Sequence, residues 1–164
     1  MTATVDWTAR IVTVEGTEFG VAFCEGEAPL LCITSPDGDH LGAFEHAEFD
    51  AVDDLEAHAK EFSMTMREDR VAGCDPAFEL EPATTVETTL FGAPGVRYGY
   101  TGSIAGREVE RVVAHAANVD GRLHLVTANF LADDGCMSRE SELPIGVADA
   151  LEPVLDAVVA GSTR

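Results

Sequence analysis

Between Thr84 and Phe130 polar and apolar positions alternate with a period of two through four successive runs: TTVETTLF, GVRYGYTGSI, GREVERVVAHAAN and GRLHLVTANF. That period sends neighbouring side chains to opposite faces of an extended chain, so the pattern predicts an antiparallel meander. Turn residues separate the runs at Gly92-Ala93-Pro94-Gly95, Ala105-Gly106 and Val119-Asp120-Gly121, and the Asp-Gly pair fits a type I′ hairpin turn. In the second run Val96, Tyr98, Tyr100 and Ile104 share one face, while Arg97, Thr101 and Ser103 share the other. The third run sets Val109, Arg111, Val113 and His115 against Glu110, Val112 and Ala114. With apolar residues on both faces, it reads as a central, covered strand.

The N-terminal part reads as two hairpins. Arg10–Val14 leads through Glu15-Gly16 into Glu18–Cys24, where Phe19, Val21 and Phe23 alternate with smaller residues. Leu30–Thr34 follows, then the turn Ser35-Pro36-Asp37-Gly38 and a strand from Leu41 to Glu45. From Asp50 the period lengthens. Val52, Leu55, Ala59, Phe62 and Met66 form one apolar stripe, which predicts an amphipathic helix over about 51–68 with Asp50 as its N-cap. The opposite face carries Glu56, Lys60 and Glu61. The segment PAFELEPA, 76–83, reads as an extra edge strand interrupted by Pro82.

Residues 132–146 form a polar, acidic connection. Beyond it Val147, Leu151, Val154, Leu155, Val158 and Val159 line up on a second helix, 147–160, with Asp149 as its cap and Gly161 as its stop. Pro153 falls near the first turn, where few amides need partners. Strands, a helix, a long antiparallel meander and a closing helix make an α+β plan: a curved antiparallel sheet covered by two main helices. The 164 residues suit one domain, 1–164, with enough chain to bury a core.

Charge adds a constraint on partners. Thirty acidic residues against ten basic ones give a formal net charge of −20, and Lys60 is the single lysine. Such a field repels nucleic-acid backbones and anionic membranes, so neither is expected as a partner; a protein with a basic surface or a metal ion would be attracted. High salt or a GC-rich genome accounts for the same composition. No apolar run approaches the ~18 residues a spanning helix needs, so no membrane insertion is expected. The N-terminus MTATVDWTARIVTVEG lacks a basic-then-apolar leader. A cytoplasmic location is expected if Met1 is the native start; the alternative is export with the leader removed. Cys24, Cys32, Cys74 and Cys136 form no C-x-x-C zinc pattern. Their even number permits disulfides such as Cys24–Cys32 and Cys74–Cys136, or four buried thiols in a reducing compartment.

In element order the chain resembles the PsbP-like fold family, shared by the Ran-binding Mog protein, the PsbP subunit of photosystem II and many bacterial lipoproteins. The resemblance rests on the FGVAF strand, the VDDLEAHAKEF helix, TTLFGAPGVRYGYTG, the NVDGRLHLVTANF hairpin and the closing ALEPVLDAVVAG helix. Two features depart from it: Cys24-Glu25-Gly26-Glu27 stands where bacterial members carry an aromatic YP-x-GW type turn, and those members are usually exported. The resemblance implies a non-enzymatic protein-binding or assembly role.

Candidate chemistry is sparse. His40 and His46, near Asp37 and Asp39, lack the third and fourth convergent ligands of a metal site, and polar residues around a turn explain them. His58 pairs with Asp54 at helical spacing, an exposed i, i+4 contact. His115 and His124 lie on neighbouring strands, but the Asp-Gly turn puts His124 opposite residues near 116–117. Ser103 in TGSIAG lacks the strand-to-helix elbow of a nucleophile. Gly92-Ala93-Pro94-Gly95 lacks the lysine and helix of a phosphate loop. Arg97, Arg107 and Arg111 have Glu87, Glu108 and Glu110 nearby as cross-strand partners. Tyr98 and Tyr100 remain as candidate ligand-binding residues for a second function, a small-molecule or lipid carrier with a pocket between sheet and helices. Ordinary core packing explains the same two rings. No catalytic residue, metal or cofactor is expected.

Overall fold

The computed structural model describes residues 1–131 and 146–164. Within them the chain forms β1 (Thr2–Asp6), β2 (Ile11–Glu15), β3 (Gly20–Phe23), β4 (Leu30–Thr34), β5 (His40–Asp50) and α1 (Leu55–Gly73). There follow β6 (Phe78–Pro82), β7 (Val86–Leu90), β8 (Ala93–Ile104), β9 (Arg107–Val119), β10 (Arg122–Leu131), α2 (Val147–Ala160) and β11 (Ser162–Thr163). The acidic connection falls almost entirely outside the described residues.

The predicted meander is β7–β10, and it runs from the middle to one edge of an eight-stranded antiparallel sheet in the order β3-β4-β5-β10-β9-β8-β6, with β7 also paired to β8. Each of its three turns is a two-residue pair with positive φ at both positions: Phe91-Gly92, Ala105-Gly106 and Asp120-Gly121. This is the backbone that matches the right-handed twist of adjoining strands. The first turn is therefore shorter than the predicted Gly92–Gly95. Ala93 and Pro94 belong to β8, and Pro94 precedes the start of β9 pairing at Gly95.

Odd and even positions separate two packed faces. On one face Val96, Tyr98, Ala114, Ala116, Leu123 and Leu125 meet Ala59 of α1. On the other, Phe44, Val113, Val126 and Phe130 join Leu151, Leu155 and Val158 of α2, together with Val5 and Trp7. Strand β9 thus lies between two covered faces, as its pattern predicts. β8 and β9 approach closely enough that a Cβ on Gly99 would stand 2.0 Å from the Val112 carbonyl oxygen.

Three local assignments differ from the sequence pattern. Ile11–Glu15 pairs with β1 and not with β3, and β11 adds in parallel to β1, making a separate three-stranded sheet. Helix α1 starts at Leu55, later than the predicted 51, and Asp54 is its cap, accepting from Ala57 N at 3.0 Å. The cause lies in the preceding strand: Phe49 and Asp50 stay in register with Leu123 and Arg122 of β10. Asn118 then pins the connection, with Val52 N donating to Asn118 Oδ1 at 3.1 Å and Asn118 Nδ2 donating to Val52 O at 2.6 Å. In α2 the cap is Gly146, in a left-handed conformation, and Asp149 reaches Arg111 instead.

The cross-strand partners expected for the arginines also change. Arg97 pairs with Glu152 and Asp156 of α2 at 3.1 and 3.0 Å. Arg111 pairs with Glu108 on its own strand at 2.7 Å and reaches Asp149 and Glu152. Asp149, Glu152 and Asp156 recur at helical spacing, so one side of α2 grips the sheet by charge. Glu110 points the opposite way, to Arg70 of α1 at 2.6 Å.

The three described cysteines take the oxidised option. Cys24 and Cys32 form a disulfide that ties the β3–β4 hairpin. Cys74 is disulfide-bonded as well; Cys136 lies outside the described residues.

Candidate functional site

The sheet edge beside β8 is covered by two short strands laid end to end. β7 pairs with residues 93–97 of β8 and β6 with residues 100–104. Between them the chain turns through Ala83–Thr85, anchored by Ala83 N donating to Gly99 O at 2.9 Å. Helix α1 crosses this junction, and a cleft of about 700 Å³ opens between helix and sheet. Pro82, expected to interrupt the edge strand, is instead its last residue, paired opposite Tyr100 and lining the cleft.

Tyr98 forms part of the cleft floor. Its hydroxyl lies 2.9 Å from His58 Nε2, with the rings edge to face. His58 is thus turned onto the sheet, and the exposed pairing with Asp54 expected from its helical spacing gives way to this contact, since Asp54 is engaged as the cap. Burial raises the Tyr98 phenol well above its ordinary value. Burial also lowers the His58 imidazole, against the opposing charge of Glu61. Both groups are neutral at pH 7, and each satisfies the other. The floor is therefore uncharged.

The walls are mixed. Met64, Leu80 and Pro82 supply apolar surface, Asp54 and Glu56 line the end at the helix start, and Lys60 and Arg67 lie further along. Tyr100 shares the Tyr98 face but not the cleft. Its hydroxyl donates to Glu110, which is fully buried and held by Arg70. The two candidate tyrosines therefore part: Tyr98 lines the space, and Tyr100 belongs to a buried network linking α1 to β8 and β9.

The histidines sort differently from their spacing. His46 and His124, 78 residues apart, meet across β5 and β10 with His46 Nε2 at 3.0 Å from His124 Nδ1. Their rings stack beside Trp7 and Phe91. This pair was hidden because it depends on which strands become neighbours. His115, considered with His124 from sequence, instead contacts Asp156 at 2.9 Å and Thr88 at 3.3 Å. His40 opens β5 opposite Thr34. Among the described residues no three His, Cys, Asp or Glu side chains converge on one point. No described helix is long and apolar enough to cross a membrane.

No protein-family description matches the sequence, and no curated protein does. Among solved structures the chain is similar to the solution structure of cyanobacterial PsbP (CyanoP) from Synechocystis sp. PCC 6803. The superposition has a TM-score of 0.53 and covers 98% of this chain and 89% of that one, at 8% sequence identity. Likeness at that identity concerns architecture, and in architecture the chain has the PsbP-like fold.

Proposed function

We propose that this chain is a non-enzymatic binding or assembly module whose partner is another protein with a cationic surface. The observation that supports it is the fate of the positive charge. Of the nine described Lys and Arg residues, six (Arg10, Arg70, Arg97, Arg111, Arg122 and Arg164) bond to carboxylates or carbonyls of the same chain. The exterior of a −20 chain is thereby left with few cations to offset its carboxylates. Charge of one sign speeds encounter with the opposite sign and disfavours nucleic acid and anionic lipid. The disulfide chemistry of Cys24, Cys32 and Cys74 accords with the exported alternative, since disulfides persist in oxidising compartments.

Proximity labelling in the source cell, followed by reconstitution with the purified partner, tests this reading. Binding should weaken steeply between 50 mM and 500 mM salt. Salt-independent binding, or catalytic turnover without a protein partner, would sink it.

The cleft over Tyr98 favours a second reading, a small-molecule or lipid carrier. A thermal-shift screen should then find ligands whose stabilisation is lost in Tyr98→Ala.

A further inference from the structure

We infer that the cleft between α1 and β8 takes an amphiphile with an anionic head, the apolar body lying along Met64, Leu80 and Pro82 and the head held by Lys60 and Arg67. This rests on the carrier reading and names its ligand class. Lys60 and Arg67 are seven residues apart on α1, about 10 Å along the helix axis on the same flank. Both border the cleft, both are exposed, and neither is in an ion pair among the described residues. Arg70, one turn beyond Arg67, is by contrast committed to Glu110.

The rest of the cleft suits an apolar body. Tyr98 lines its floor with the hydroxyl already engaged by His58, so a hydrocarbon lying over that ring strands no phenol. The opposite end carries Asp54 and Glu56, which would repel an anionic head and so fix the ligand's direction. The overall negative field opposes an anion only at long range. At physiological salt it is screened beyond ~8 Å, and Arg67, eleven residues and about 16 Å of helix from Glu56, lies outside the reach of the carboxylates at the cleft's other end.

Calorimetric titration of the full chain with decanoate, decyl phosphate, decanol and decylamine, below their aggregation concentrations, tests the assignment. Decanoate or decyl phosphate should bind at least about tenfold more tightly than decanol, the scale of one charge-assisted contact. The tighter of the two anions tells whether the head is a carboxylate or a phosphate. In Lys60→Gln/Arg67→Gln, whose changes lie at exposed positions, the preference should fall to about one while decanol binding persists. Equal binding of decanoate, decyl phosphate and decanol, or tighter binding of decylamine, would overturn the anionic head and leave the carrier reading standing. Binding by none of the four would overturn both.

Discussion

The side chains of His46 and His124 face each other from neighbouring strands, Nε2 to Nδ1 at 3.0 Å, so one ring must donate the proton and the other accept it. His124 is 1% exposed, and its other nitrogen, Nε2, meets no partner among the described residues. Burial, then the neighbouring His124, lower the His46 pKa to about 4, with Glu48 opposing and Arg164 adding to the shift. His124 is lowered by burial, with Glu48 and Asp120 opposing and Arg164 and Arg122 adding. A histidine depressed in the folded state contributes stability that is complete above its unfolded value, near 6.5, and is lost as pH falls towards 4. Thermal melts between pH 7 and pH 4 should show a loss of about 2 kcal/mol from this pair, after allowance for solvent screening of the half-buried ring. In His46→Gln/His124→Gln that part of the slope should vanish; an unchanged slope would assign it to other groups.

The Tyr100–Glu110–Arg70 network sets an asymmetric expectation. Arg70→Met leaves Glu110 as an unpaired buried carboxylate and should cost about 3 kcal/mol in urea unfolding. Glu110→Gln keeps an acceptor for Tyr100 and leaves Arg70 near solvent, so about 1–2 kcal/mol is expected. The double variant should cost less than the sum. Strict additivity would show that the contact carries no coupling.

Gly99 faces the Val112 carbonyl from the adjacent strand. Gly99→Ala forces backbone apart where β8 and β9 are closest, and should destabilise by about 3 kcal/mol or more. A Tm within two degrees of the parent would contradict that approach.

These features differ in how far the residues disclosed them. Period-two alternation from Val86 to Phe130 specified the meander, because each strand's partner is its immediate neighbour. The 147–160 helix followed from one stripe of Leu and Val. What failed to show depends on pairings distant in sequence. Asp50 looked like a cap until its ladder with Arg122 held it in β5. Ile11–Val14 looked like the partner of β3, because nothing local announces that Val5 will pair with both Val12 and Ser162. His58 looked exposed because the stripe through Leu55, Ala59 and Phe62 ignores the reach of an imidazole onto Tyr98. Of the candidate tyrosines, only their shared face was legible. Their separation into cleft and network is set by where β6 stops and β7 begins.

The Cys24–Cys32 bridge closes a short hairpin loop, for which chain-entropy reasoning gives about 2–3 kcal/mol. Cys24→Ser/Cys32→Ser should lose that amount in denaturant titration. Under denaturing but non-reducing conditions, Cys24, Cys32 and Cys74 should fail to react with a thiol reagent. Reactive Cys24 or Cys32 would place the chain in the reduced state.

Strands β1 and β11 run side by side in the same direction, with Val5 opposite Ser162 and Asp6 opposite Thr163. Trp7 Nε1 also donates to Ser162 Oγ at 3.0 Å. Tension applied through Met1 and Arg164 therefore pulls two parallel strands past each other. Every bond of that short ladder is loaded at once, in shear, instead of being peeled open one at a time. Whatever is attached at the two ends, the first structure to resist the load is this small terminal sheet, and the cleft lies mechanically behind it.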